Sequence, residues 1–85
     1  MVRSLAGRDK GRLFFVLSTD GCYAALSDGK VRRVGRPKRK KRKHFELVGH
    51  PDCHVADKIR SGADVLDSEL RRELAIYGQA IQEDE

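Results

Sequence analysis

The chain has no tryptophan, three phenylalanines, two tyrosines and two cysteines in 85 residues. So few rings leave little room for a deep catalytic cleft, and the modest core that such a length can bury suits a minimal barrel or a small α+β unit. No apolar leader follows Met1, which runs directly into a basic, turn-rich segment. Cys22 and Cys53 are therefore expected as reduced thiols in a cytoplasmic compartment. No stretch approaches the roughly 18 apolar residues of a membrane span, so no membrane partner is expected.

Charge is abundant and unevenly distributed. Residues 1–44 hold 14 Lys/Arg against 3 Asp/Glu, a net of +11, and residues 45–85 hold 4 against 10, a net of −6. A basic half of this density is the footprint of a phosphate-backbone binder. The acidic half would be repelled by the same polyanion, so it either restrains the basic half or contacts another protein.

Hydropathy patterning divides the chain. Leu13–Leu17 is an apolar run rich in strand formers. Asp20-Gly21 and Asp28-Gly29 are hairpin signals on either side of a strand centred on Tyr23. Val31 and Val34 flank Arg32 and Arg33, which predicts a short fourth strand, and Phe45-Glu46-Leu47 alternates with period two. Val2 and Leu5 predict an N-terminal edge strand. These elements read as a small antiparallel barrel over residues 1–48, closed so that no sheet edge is left exposed.

Pro51 ends the strand pattern. Residues 49–62 read as a linker with a short helix ending near Gly62. Leu66, Leu70, Leu74, Tyr77 and Ile81 then recur at helical spacing, predicting an acidic amphipathic helix and frayed tail over 63–85, capped by Asp64 or Asp67. Its apolar stripe fits packing on the barrel better than a partner site.

Three segments could carry chemistry. In Gly7-Arg8-Asp9-Lys10-Gly11-Arg12, two glycines permit a tight turn and close backbone approach, and three cations surround it, a grip suited to phosphates. It lacks the Gly-Lys-Ser/Thr ending of a nucleotide-hydrolysing loop. In Arg36-Pro37-Lys38-Arg39-Lys40-Lys41-Arg42-Lys43, seven of eight residues are basic, a density that favours polyanion binding through counterion release. Gly35-Arg36-Pro37-Lys38 within it partly resembles the AT-hook, which inserts arginine into narrow minor grooves, but Val34 stands where that motif carries arginine. In His50-Pro51-Asp52-Cys53-His54, adjacent Cys53 and His54 cannot easily share one metal, so an incidental polar linker is the better reading than zinc. No third group orients a Cys-His catalytic pair.

Taken in order, the 7–12 loop, the Leu13–Leu17 strand, Asp28-Gly29-Lys30 and the segment from Pro37-Lys38 to Lys43-His44 resemble the KOW family. More narrowly, they resemble bacterial KOW-domain RNA-binding proteins similar to large-subunit ribosomal proteins. The resemblance covers about residues 2–47 and implies a mainly β fold, an SH3-like five-stranded barrel, here with a C-terminal helical extension. It implies that Gly11 is the hallmark glycine lying against RNA, with Arg8, Lys10 and Arg12 as its basic neighbours. The 36–44 segment would be a loop leading into the last strand.

The reading is RNA binding, to structured ribosomal RNA, by a ribosome-associated or translation-related factor that is not an enzyme. Gly7, Arg8, Lys10, Gly11, Arg12, Arg32, Arg33, Arg36, Lys38, Arg39, Lys40, Lys41, Arg42 and Lys43 form the expected contact set. Ribosomal proteins are possible neighbours, and no cofactor, metal or small-molecule substrate is expected. The alternatives are an architectural DNA binder and an adaptor that recruits a protein through its C-terminal helix.

Overall fold

The computed structural model describes residues 1–49 and 54–83, with side chains described as far as Tyr77. Among the described residues there are five strands: β1 (Val2–Ser4), β2 (Leu13–Asp20), β3 (Tyr23–Ser27), β4 (Lys38–Lys41) and β5 (Phe45–Leu47). A 3-10 turn, Arg42–His44, joins β4 to β5, and two helices follow, α1 (His54–Ser61) and α2 (Asp67–Glu83). All pairings are antiparallel, in the order β4-β3-β2-β1-β5. The sheet does not close: β4 and β5 are its two edges, and β1, predicted as an edge, lies between β2 and β5.

Strand β2 serves both halves of the sheet. Leu13 and Phe14 pair with β1, and Phe15 to Asp20 pair with β3 across a register shift between Val16 and Ser18. Such a bulge bends the strand and increases its local twist. Alternation along β2 sends Phe14 to one face and Phe15 to the other, and each nucleates its own core. Phe14 packs with Val2, Ala24 and Leu26, flanked by Val16 and Phe45. Phe15 packs with Met1, Val55 of α1 and Leu70 of α2, flanked by residues that include Leu13, Leu74 and Tyr77. Leu70, Leu74 and Tyr77 of the predicted stripe are therefore spent on the sheet, Leu66 at its start is exposed, and the side chain of Ile81 lies outside those described.

The two helices are clasped through Glu69, whose carboxylate accepts from Lys58 Nζ at 2.9 and 3.0 Å. Glu69 Oε1 also accepts the Leu66 backbone N–H at 3.0 Å, closing the first turn of α2. Capping thus falls to Glu69 rather than to Asp64 or Asp67. Asp67 instead accepts the Val34 backbone N–H at 2.7 Å, tying α2 to the loop that follows β3.

That loop replaces the strand predicted at Val31–Val34. Asp28 Oδ1 accepts the backbone N–H groups of Lys30 and Arg32, both at 2.9 Å, which curls the chain into a side-chain-stabilised turn. Gly29, at φ +74°, sits under the start of α2, where an added Cβ would run into the Asp67 carbonyl and Leu70. Arg71 Nη1 donates to the Gly29 carbonyl at 2.6 Å from the same helix. Among the described residues no helix is long and apolar enough to cross a membrane.

Candidate nucleic-acid interface

The basic run folds as a strand, where the sequence reading places a loop. β4 pairs with β3 in the register Tyr23–Lys41, Ala24–Lys40, Ala25–Arg39 and Leu26–Lys38. Lys40 and Lys38 therefore share the face of Ala24 and Leu26, the inner one, and Arg39 and Lys41 share the opposite face with Tyr23. Every residue of the strand is basic, so no apolar-polar alternation marks it in the sequence.

Two inward lysines are tolerable because Asp9 meets them. Lys40 is only 6% exposed, and its Nζ donates to Asp9 Oδ1 at 2.7 Å, Ser4 Oγ at 2.7 Å and the Ala6 carbonyl at 2.8 Å. Ser4 Oγ lies 2.7 Å from Asp9 Oδ1 as well. Lys38 Nζ stands 3.0 Å from Asp9 Oδ2 as an ion-pair partner, outside hydrogen-bonding alignment. Burial alone would raise the Asp9 carboxyl. Hydrogen bonds from Lys40 and Ser4, with the nearby Lys38 ammonium and the Lys40 charge, outweigh it and hold the group well below the usual carboxylate range.

Asp9 lies in the loop between β1 and β2, so this network fastens that loop to β4. The loop is also closed on itself. Gly11 N–H donates to the Ser4 carbonyl at 2.8 Å and Arg12 N–H to the Asp9 carbonyl at 3.0 Å. Gly7 and Gly11 have φ of +85° and +88°, the left-handed conformation that a tight turn at these positions requires. A Cβ added at Gly11 would meet nothing within 4 Å among the described residues.

The predicted contact side chains sort into four groups. Arg8, Lys10 and Arg12 are exposed on the 6–12 loop, and Arg39, Lys41, Arg42 and Lys43 are exposed along β4 and the 3-10 turn. Arg39, Lys41 and Lys43 border a groove of about 450 Å³ with Ala6, Gly7, Tyr23, Lys38, Lys40 and His44, and none of these lining residues is a carboxylate. Arg12 turns to the other end of the loop and lines a separate groove of about 630 Å³ with Lys30, Arg71 and Asp28. Arg32, Arg33 and Arg36 are exposed on the loop that precedes β4, where Arg33 and Arg36 border a depression beside Asp67. Lys38 and Lys40 also line the first of these grooves, but their ammonium groups are withdrawn inward to Asp9. They hold the parts of this surface together.

The same withdrawal bears on the AT-hook-like segment. Lys38 is turned inward to Asp9, and Val34 is fastened to Asp67, so residues 35–38 are not an extended peptide with both cations free.

One surface feature has only a weak sequence signal. Arg39 Cζ lies 3.9 Å from the Tyr23 ring centroid, and Lys41 Nζ lies 5.8 Å from it. Asp20 Oδ2 stands 3.9 Å from Arg39 Nη2, both side chains being largely exposed. The sequence reading puts Tyr23 at the centre of a strand, but without strand β4 it has no register to place Arg39 over that ring.

The His50–Cys53 part of the zinc candidate lies outside the described residues. His54 binds Glu69 Oε2 at 2.8 Å, and no group of three metal-ligating side chains occurs among the described residues. No protein-family model matches the chain, and no curated protein matches it.

Proposed function

We propose that the chain is an RNA-binding protein of SH3-like, KOW-related architecture that contacts structured ribosomal RNA and catalyses no reaction. The fold supports this reading in its strand order, in the sharing of bent β2 between two half-sheets, and in the 3-10 turn between the last two strands. The observation that carries the proposal is the fastening of the 6–12 loop to β4 through Asp9, Lys38 and Lys40. Two basic segments distant in sequence become neighbours on one rigid surface, with a carboxylate-free groove between them.

Such a surface neutralises phosphates spaced along a folded RNA. The backbone at Gly7 and Gly11 approaches closely, and Arg8, Lys10, Arg39, Lys41, Arg42 and Lys43 supply charge. Structured RNA is read mainly by shape and by phosphate and 2′-hydroxyl contacts, so sequence specificity is weak and salt dependence strong. The compartment is the cytoplasm, where ribosomes are the partner.

Ultraviolet crosslinking in the native cells, with sequencing of the attached nucleic acid, tests this. Ribosomal RNA crosslinked at residues 7–12 and 39–43 is the expected result. Recovery of DNA in place of RNA would overturn it.

A further inference from the structure

We infer that Tyr23 and Arg39 form a stacking site for one unpaired nucleobase, so that the surface selects RNA carrying a bulged or looped-out nucleotide. The inference rests on the RNA-binding reading and gives it a substrate preference.

Tyr23 stands apart from the other aromatic residues. Phe14 and Phe15 are buried centres of the two cores, Phe45 packs against the first and Tyr77 against the second. Tyr77 also donates its hydroxyl to the Val48 carbonyl at 3.1 Å. Tyr23 belongs to neither core, and its hydroxyl hydrogen-bonds to none of the described residues. It lies on the same sheet face as Phe15, but α1 and α2 cover only the Phe15 end. What lies against the Tyr23 ring is cationic: Arg39 at 3.9 Å and Lys41 at 5.8 Å.

Arg39 is held in place rather than waving in solvent. It sits in the middle of β4, opposite Ala25, with the ring beneath it and Asp20 near its edge. Its side chain is nonetheless 66% exposed. A planar guanidinium backed by an aromatic ring and open on its outer side is a platform for a flat, π-rich partner. Nucleobases freed from pairing stack on such planes, and bases held in a duplex cannot. The phosphates on either side of the extruded nucleotide would meet Lys41 and Lys43, which border the same groove. Stacked guanidinium and ring tolerate any base, so the site reads the absence of pairing rather than sequence.

The test compares two RNA hairpins that differ by one bulged 2-aminopurine nucleotide, bound to the full chain and followed by anisotropy and by 2-aminopurine fluorescence. The wild type should bind the bulged hairpin between about fivefold and about a hundredfold more tightly than the paired one, and its fluorescence should be quenched. Arg39→Lys keeps the charge and loses the plane, and Tyr23→Ala loses the backing ring. Both should bring binding of the bulged hairpin down to that of the paired one and abolish the quenching. Equal binding of the two hairpins by wild type, or a preference that survives Arg39→Lys, would overturn the inference while leaving RNA binding in place. Failure to bind either hairpin would overturn the RNA-binding reading itself, and this inference with it.

Discussion

Lys40 Nζ and Asp9 Oδ1 meet 2.7 Å apart, with 6% of the lysine side chain and 11% of the aspartate side chain exposed. Neither charge would be tolerated there alone, and together they join a loop to a strand 31 residues further along the chain. Removing one member of a buried pair leaves the other uncompensated and typically costs about 3–5 kcal/mol. Asp9→Ala leaves both Lys38 and Lys40 facing inward without a counter-charge and should cost about that amount. Lys40→Met keeps the stem volume and leaves Asp9 with Lys38 and Ser4, so its loss should be smaller. Urea unfolding monitored by circular dichroism ranks the two.

Acid should weaken the fold with a defined sign. The Asp9 and Glu69 carboxyls both titrate lower in the folded chain than their ordinary values of 3.8 and 4.5, and Glu69 is brought to about 2, chiefly by hydrogen bonds from Lys58 and the Leu66 N–H. A depressed carboxyl contributes stability that is complete above its unfolded value and lost as pH falls through the folded one. Melting temperature should therefore be insensitive to these groups above pH 5 or so and should fall on acidification from 4.5 toward 2. Glu69→Gln should flatten the upper part of that decline. A melting temperature that rises across this window would contradict the assignment.

Gly29 and Gly11 share a left-handed backbone but differ in surroundings. At Gly29 an added methyl meets the Asp67 carbonyl and Leu70, and at Gly11 it meets nothing. Gly11→Ala should cost only the backbone strain, about 1–2 kcal/mol. Gly29→Ala adds steric displacement of α2, a further ~1–3 kcal/mol. Thermal unfolding of both variants gives the comparison, and equal losses would argue against the close approach of α2.

Lysines on β4 should fall into two classes by face. Lys41→Ala should weaken RNA binding and lower the slope of log affinity against log salt by about one. Lys40→Met should leave that slope unchanged in the folded protein, because its ammonium is spent on Asp9, Ser4 and Ala6. Titrations at several salt concentrations distinguish them. A reduced slope for Lys40→Met would return that residue to the binding surface.

Leu70 is fully buried between α2 and the sheet, and Leu70→Ala should cost about 2–5 kcal/mol. Truncation of residues 63–85 removes the same contact and should yield an unfolded or loosened sheet. The adaptor reading cannot be probed by that deletion. Exposed Ile76 on the helix and Leu66 just before it are the positions to substitute when the sheet must stay intact.

The strands built on apolar residues and the two helices were legible because hydrophobic periodicity encodes which side faces a core. β2 and β3 follow from Leu13–Leu17 and the turn after Asp20, β5 from Phe45 and Leu47, and α2 from the Leu70, Leu74 and Tyr77 spacing. Two elements escaped. β4 has a lysine where an inward position normally carries an aliphatic side chain, so its alternation is one of partners rather than of hydropathy. Val31–Val34 has strand composition, but Asp28 and Asp67 capture its backbone N–H groups and bend it into a turn. The basic contact residues were legible as a set, and their division into outward and inward members was not, because it depends on register. The one available hint was Asp9, the only carboxylate in the first 19 residues.

β4 is an edge strand, and an edge presents unpaired backbone groups that invite another chain to add a strand. Its four side chains all carry positive charge, two of them inward. A second copy docking β4 to β4 would bring together the outward Arg39 and Lys41 of both copies, four cations that Asp9 does not reach. That repulsion disfavours pairing of β4 with a second β4, so neutralising Arg39 and Lys41 should lower the barrier to self-association at this edge, whether or not RNA is present.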